Sequence, residues 1–389
     1  MFRALIPGTD FAPQTACRQP LPTGTARKQT APQNHDNHQK TIHTHAFTGA
    51  SRRIRRLRGV QFGRRRPRTA ETLRLRHLHG RLHHARIEGR RNGLEKRAVL
   101  YTLTDGTNDA WAYAVCVSDG TVYAAGYERQ GDRIVAKVWE NGTLKYTPGA
   151  PGADSYAYSV FAANGSLYTA GSEESGGALT AKIWKDGDAL YAYSVSPAVS
   201  QARSVCVSGG DVYAAGSLQS GLTKPLAVVW KNDKAHYTLS DGETPAGVNA
   251  LCLSGRTLYA AGHSGGAAAV WKDKESLYTL TDGSSYAEAT AVCRFGHTLY
   301  TAGYHTDGFE EEGVVWKEGQ ELFDLSDGPG SGSMPYSVAV CYDDIFTAGT
   351  IFGTTRTAVV WHGDEIRYTL SDGTGHSEAY SMYVVPLYD

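Results

Sequence analysis

The sequence predicts an all-β fold in which one small antiparallel unit is copied around an axis. Three observations carry this. A tryptophan recurs at Trp139, Trp184, Trp230, Trp271, Trp316 and Trp361, at intervals of 45, 46, 41, 45 and 45 residues. A glycine preceded by alanine keeps the same clock at Gly126, Gly171, Gly216, Gly262, Gly303 and Gly349. Each period also holds four short runs of β-branched and aromatic residues parted by turn residues, which is the pattern of four strands. A fixed period of this length marks a repeat architecture.

The copy from Ala202 to Gly242 shows the unit in order: SVCVS for strand a, VYAAG for b, VVWK for c, and HYTLSDG for d and the turn after it. Strands a and b meet through pairs such as Asp119-Gly120, Asn164-Gly165 and Gly209-Gly210, and strands c and d through Asn141-Gly142, Asp186-Gly187 and Glu318-Gly319. Such pairs supply the positive φ that two-residue primed hairpins require. The b–c connections differ instead: YERQGDRI follows Gly126, HSGG follows Gly262 and YHTDGFEEEG follows Gly303. Uniform turns are expected at one end and variable loops at the other. A four-stranded unit cannot cover both its faces alone, so the copies must stack, and radial stacking gives a β-propeller.

The chain ends set the expected blade count. Val99 to Gly106 is a strand d with no a, b or c before it, and Tyr380 to Val385 is a strand a with nothing after it. Together they make part of one more blade, so the expectation is seven blades with an incomplete closing blade; the alternative is six self-closed blades. The S-V-x-V, V-Y-A-A-G, V-W-K order resembles kelch-type propeller repeats, although it lacks their Gly-Gly doublet and their usual Trp position. It is more similar to tandem V-Y-V-A-G-Y-E / V-W-K-N-G / L-T-D-G repeats of bacterial propeller proteins. The resemblance covers about Leu100 to Val385; it implies the fold and offers no catalytic residues.

Composition divides the chain near Arg97. Residues 1–97 hold 22 Lys and Arg against 5 Asp and Glu, and residues 98–389 hold 17 against 34, so a net charge of zero conceals halves of about +17 and −17. All tyrosines and tryptophans follow the break. Residues 1–97 are expected to be a disordered Arg/His-rich segment, and 98–389 the propeller. For the segment three origins compete: a translation product of a displaced reading frame, a linker, or a basic arm binding nucleic acid through salt-sensitive phosphate contacts. A shift by one base lets the codons of His77 to Arg81 encode I-Y-T-A-G and those under Asn92 to Lys96 encode T-V-W-K. The hidden Gly and Trp then lie 45 residues before Gly126 and Trp139.

Candidate chemistry is sparse. Cys116, Cys206, Cys252 and Cys293 share one repeat position that Phe161 and Ala339 fill elsewhere, which marks a buried filler rather than a disulfide or redox site. The Asp-Gly steps at Asp105, Asp241, Asp282, Asp327 and Asp372 read as turns, because single carboxylates in separate blades cannot share an ion. His305, Asp307 and Glu310 to Glu312 read as a solvated acidic loop. No metal and no cofactor is expected, and no run of 18 apolar residues suggests a membrane span. The tryptophan of each copy is expected to pack between blades. Tyr127, Tyr156, Tyr304 and Phe309 vary between copies and are expected to be exposed, which makes them the candidates for stacking on a ligand.

The expected function is therefore a non-enzymatic, monomeric binding module that contacts a protein or glycan through b–c and d–a loops (residues 127–133, 172–178, 217–224, 304–313 and 328–333). The rivals are a propeller enzyme of glycoside hydrolase or lyase type with a site at the channel mouth, and nucleic-acid binding through the basic arm. No export signal is readable at the N-terminus; a secreted or cell-envelope location would need one supplied by the correct frame.

Overall fold

The computed structural model describes residues 70–79, 85–90 and 97–386, except 194–197, 307, 309, 326–331 and 372–374. Every element among them is a β-strand. Residues 110–146, 155–193, 198–238, 246–279, 287–324 and 333–369 each form one four-stranded antiparallel sheet in the order a, b, c, d; these are blades 1 to 6. The innermost strands follow one another around the ring, from Ala110–Ser118 through Ser155–Ala163 and onward to Ser333–Cys341. The molecule is a β-propeller.

The hairpins form where the turn residues lead them. Asp119, Asn141, Asn164, Asp186 and Glu318 take φ between 47° and 53°, and the glycine after each is also positive. The c–d turn does a second job. Asn141 donates its backbone N–H to Val122 and accepts that residue's N–H on Oδ1, at 2.8 and 3.0 Å. Asp186, Asn232 and Asp273 repeat this clamp on Leu167, Val212 and Leu258. Each turn thus fastens the start of strand b in its own blade.

The periodic glycine has a different cause. In every blade strand a carries a register shift, between Ala112 and Ala114 in blade 1 and at the matching place in the others. The carbonyl just before that bulge leans onto the glycine of strand b. A Cβ on Gly126, Gly171 or Gly216 would lie 1.8 Å from the oxygen of Trp111, Tyr156 or Gln201, and on Gly262, Gly303 or Gly349 it would lie 2.0 to 2.2 Å from its counterpart. No side chain fits there, whatever its φ.

Between blades the periodic tryptophans fill the wedge. All six are 1–3% exposed, and Trp230, Trp271 and Trp316 are each set among alanines and valines of their own and the preceding sheet. Burying a side chain of this size contributes about 2–3 kcal/mol or more each. Buried serines next to the bulge then tie strand a to strand a. Ser159 Oγ accepts the N–H of Val205, Ser204 that of Leu251, and Ser337 that of Met382. At the rim, strand d aromatics lie over the next blade's turn glycine, Tyr146 on Gly187 and Tyr278 on Gly319. Cys116, Cys206, Cys252, Cys293 and Cys341 form no disulfide, and burial pushes the Cys206 thiol up.

The blade count differs from the seven expected. Six blades are complete, and the ring is closed by a further sheet assembled from strands near both ends of the chain. Ala70–His79, Ala85–Arg90 and Arg97–Thr102 lie side by side, and the tail strands His376–Glu378 and Met382–Pro386 both pair with the first of them. This five-stranded sheet sits between strand a of blade 1 and the inner strands of blade 6. Ser337 and Ser381 continue the serine ties through it, to Met382 and Val115. Tail strand a and head strand d share it as expected, but strands from residues 70–90, read from sequence as coil, stand where b and c were missing. Residues 1–69, 80–84 and 91–96, where the rest of the expected disorder falls, lie outside the described residues.

Candidate functional site at the channel mouth

The bulge in strand a decides which side chain each blade offers to its neighbours at the axis. It sets Tyr113, Tyr158, Arg203, Asn249, Thr290 and Tyr336 at equivalent places, with Tyr380 supplied by the tail. All are buried. Their rings and hydrogen bonds run from blade to blade: Tyr113 meets Tyr158 and Tyr380 at 5.9 and 4.9 Å, and Tyr336 meets Tyr380 at 4.9 Å. Asn249 donates to the carbonyl of Ala289, and Thr290 to that of Pro335.

On the b–c side an aromatic shelf lies over this layer. Trp111, two residues before the bulge tyrosine, packs on Tyr127 at 5.0 Å, and Tyr127 packs edge-on against Tyr156 at 5.2 Å. Tyr156 stacks on Tyr158 below, and the hydroxyls of Tyr113 and Tyr127 are 3.2 Å apart. The three shelf rings are half-buried, whereas the floor of Tyr113, Tyr158, Tyr336 and Tyr380 is closed. Burial pushes the Tyr156 phenol up to about 12, with Asp154 and Glu174 adding to the shift. It raises Tyr127 as well and holds Tyr113 and Tyr380 well above the ordinary phenol range. These groups are neutral hydrogen-bonding phenols at physiological pH.

The opposite arc is polar. Arg203 Nη2 donates to Gln201 Oε1 at 3.2 Å. Glu288, buried, accepts from Tyr286 Oη and from Asn249 Nδ2, and its Oε1 lies 3.3 Å from His263 Nδ1. Burial pulls His263 down, with Arg203 acting in the same direction and Glu288 against it. On the closing side, buried Glu378 accepts from Tyr380 and is paired with Arg356 at 2.6 Å. The mouth is therefore two-sided, with π faces over blades 1 and 2 and amide, carboxylate and guanidinium groups over blades 3 to 5.

Tyr127 and Tyr156 stand together on the shelf. Tyr304 is corrected: it is 5% exposed, drawn into the tyrosine cluster with Met334 and Tyr336, because the neighbouring blade supplies partners that its own repeat does not reveal. Phe309 and Asp307 lie outside the described residues. The b–c segments of blades 1 and 2 are also not loops. Strands Thr121–Gln130 and Arg133–Glu140 run out to a two-residue turn at Gly131, and Ser166–Ser175 and Ala178–Lys185 to another at Gly176. Trp111, Tyr113, Tyr158, Arg203 and Glu288 were missed by sequence reading.

Asp105, Asp241 and Asp282 accept backbone N–H bonds from the residue two ahead, at 2.9 Å each, as turn formers do. Asp327 and Asp372 lie outside the described residues. Among the described residues no three His, Cys, Asp or Glu side chains converge as metal ligands, and no helix is long and apolar enough to cross a membrane. A polar cleft of about 170 Å³ lies at the other end, between the a–b turns of blades 1 and 2, lined by Asp119, Lys145 and Asp186 among others. Asp119 and Asp186 there are occupied in building hairpins. No protein-family model matches the chain, and no curated protein matches it in sequence. The fold and mouth define a β-propeller of the kind that serves as a binding or interaction scaffold.

Proposed function

We propose that this protein is a non-enzymatic binding module, monomeric and of the bacterial kelch-like kind, that holds a protein or glycan partner over the b–c face of the ring. The observation that carries this is the half-exposed shelf of Trp111, Tyr127 and Tyr156. Six tryptophans serve packing and are closed to solvent, while the seventh stands outside the repeat position, at the mouth, beside two tyrosines with no counterpart in blade 3. Rigid aromatic side chains left half-open over a closed floor are what recognition surfaces are made of. An enzyme of glycoside hydrolase or lyase type finds its best foothold at Glu288 and His263. Both oxygens of that carboxylate are already engaged, Oε1 by Tyr286 and Oε2 by Asn249, the way a structural carboxylate is held.

The test compares the wild-type chain with a Trp111→Ala/Tyr156→Ala variant of unchanged melting temperature, using immobilised protein to capture protein and glycan ligands. Species held by the wild type are expected to be lost from the variant. Equal retention by both would place the contact elsewhere and end this reading.

A further inference from the structure

Resting on that reading, we infer that the ligand at the mouth is a neutral saccharide rather than a peptide or an organic cation. The two sides of the mouth are matched to a sugar ring, which carries an apolar C–H face and a rim of hydroxyls. Trp111, Tyr127 and Tyr156 offer π faces on one side. Gln201, Arg203 and Tyr286 stand on the other: the Gln201 amide both donates and accepts, the Arg203 guanidinium donates only, and the Tyr286 oxygen, whose proton goes to Glu288, can accept. Tyr286 is 48% exposed, with its hydroxyl turned to Glu288. Guanidinium groups (Arg203 and Arg129) and carboxylates (Asp109, Asp154 and Glu174) both border the mouth, so a ligand of either sign meets like charge. A neutral polyol avoids both.

Tryptophan fluorescence reads this site selectively, because the six other indoles are 1–3% exposed. Titration with neutral oligosaccharides of hexose and N-acetylhexosamine, with tetramethylammonium and with an unstructured peptide as parallel arms, should give a saturable spectral shift with at least one sugar alone. Trp111→Ala should abolish the shift, Trp111→Phe should weaken calorimetrically measured affinity, and Gln201→Ala should weaken it about tenfold or more. A response only to the ammonium or the peptide, or to none of the probes, overturns the saccharide assignment. The binding face itself then stands or falls separately, on whether captured species still depend on Trp111.

The closing sheet carries an independent result. In all six blades the strand c tryptophan precedes the strand d aromatic by seven residues, from Trp139/Tyr146 to Trp361/Tyr368. Tail residue Met382 pairs with Arg74 as Val115 pairs with Ala124, and Glu378 with His77 as Trp111 pairs with Tyr127. Arg74 pairs with Glu88 as Ala124 pairs with Trp139, and Ile87 with Tyr101 as Val138 pairs with Tyr146. The closing sheet thus has the register of a blade. Arg76 occupies the column that is glycine in every blade, and Glu88 the column that is tryptophan. Glu88 also stands thirteen residues before Tyr101 instead of seven.

The shifted frame removes all three discrepancies. It places a glycine beneath Arg81 and a tryptophan beneath Leu94, seven residues before Tyr101, and separates the two by thirteen residues, as Gly126 and Trp139 are separated. We propose that the ring evolved to close on a seventh Gly- and Trp-bearing repeat and that residues preceding about Arg97 are its out-of-frame substitute. The coding DNA tests this: the codons of Arg81 and Leu94 must both end in G, and the shifted frame must run without a stop through both motifs. Restoring that frame by a one-base change should raise the melting temperature by several degrees. A stop codon, another base at either position, or a restored chain no more stable than the present one each overturns it.

Discussion

Replacing Gly216 by alanine tests the account of the repeat most directly. The added methyl would sit 1.8 Å from the carbonyl oxygen of Gln201 and 2.9 Å from its carbon, both backbone atoms that cannot rotate aside. An unstrained C···O contact needs about 3.3 Å, so strands a and b must part locally by about 1.5 Å. That separation strains the pairs on either side, Ala202 with Gly216 and Gly216 with Val228. Overpacking of this kind costs about 1–3 kcal/mol, and each ladder hydrogen bond lost adds about 1 kcal/mol. The expected destabilisation is about 3–5 kcal/mol, seen in urea unfolding followed by circular dichroism. Gly209→Ala in the same blade is the control: its φ is +60° and the space around it is open, so only the left-handed backbone resists, at about 1 kcal/mol. If Gly216→Ala costs no more than Gly209→Ala, the close approach at the bulge is not what fixes the periodic glycine.

Ser337→Ala leaves the Met382 N–H without its side-chain acceptor at the join between blade 6 and the closing sheet, at an expected cost of about 1–3 kcal/mol, with faster proteolysis of the C-terminal tail as the readout. Burial lowers the pKa of His263 in the fold, so the unfolded chain binds the proton more readily and stability falls as pH drops through about 6.5. His263→Gln should flatten the decline in melting temperature between about pH 7.5 and 5; an unchanged slope would assign it to other groups. The buried Cys206 thiol should resist a thiol-specific reagent at pH 8 in the folded protein and react once urea unfolds it.

Much of this architecture is legible in the residues because it depends on local chemistry repeated six times. Asp-Gly and Asn-Gly pairs can do little but turn, and a tryptophan present in every copy serves what every copy needs. The bulge is harder to see. It shifts the pairing of strand a by one residue inside a run that is buried throughout, so no break in apolar alternation betrays it, and the sequence marks the glycine but not the carbonyl that demands it. The mouth residues fall just at that shift. The one signal that could have found them is the variable position between fixed neighbours in strand a, filled by Tyr113, Tyr158, Arg203, Asn249, Thr290 and Tyr336. Tyr304 was misjudged for a related reason, since its surroundings come from the next blade. The closing sheet was half legible: both end strands have repeat-like sequence, and the two between them do not.

Because strands from the two ends of the chain lie side by side in one sheet, the head and tail of this protein are mechanically in series with its whole circumference. Drawing the ends apart would load that single sheet first and open the circle like an unbuckled belt, leaving six blades as an arc. A circular permutant that joins the present ends and begins in the connection after Lys234–Thr238 would make the buckle one continuous piece of chain and move the weak seam to the far side of the ring.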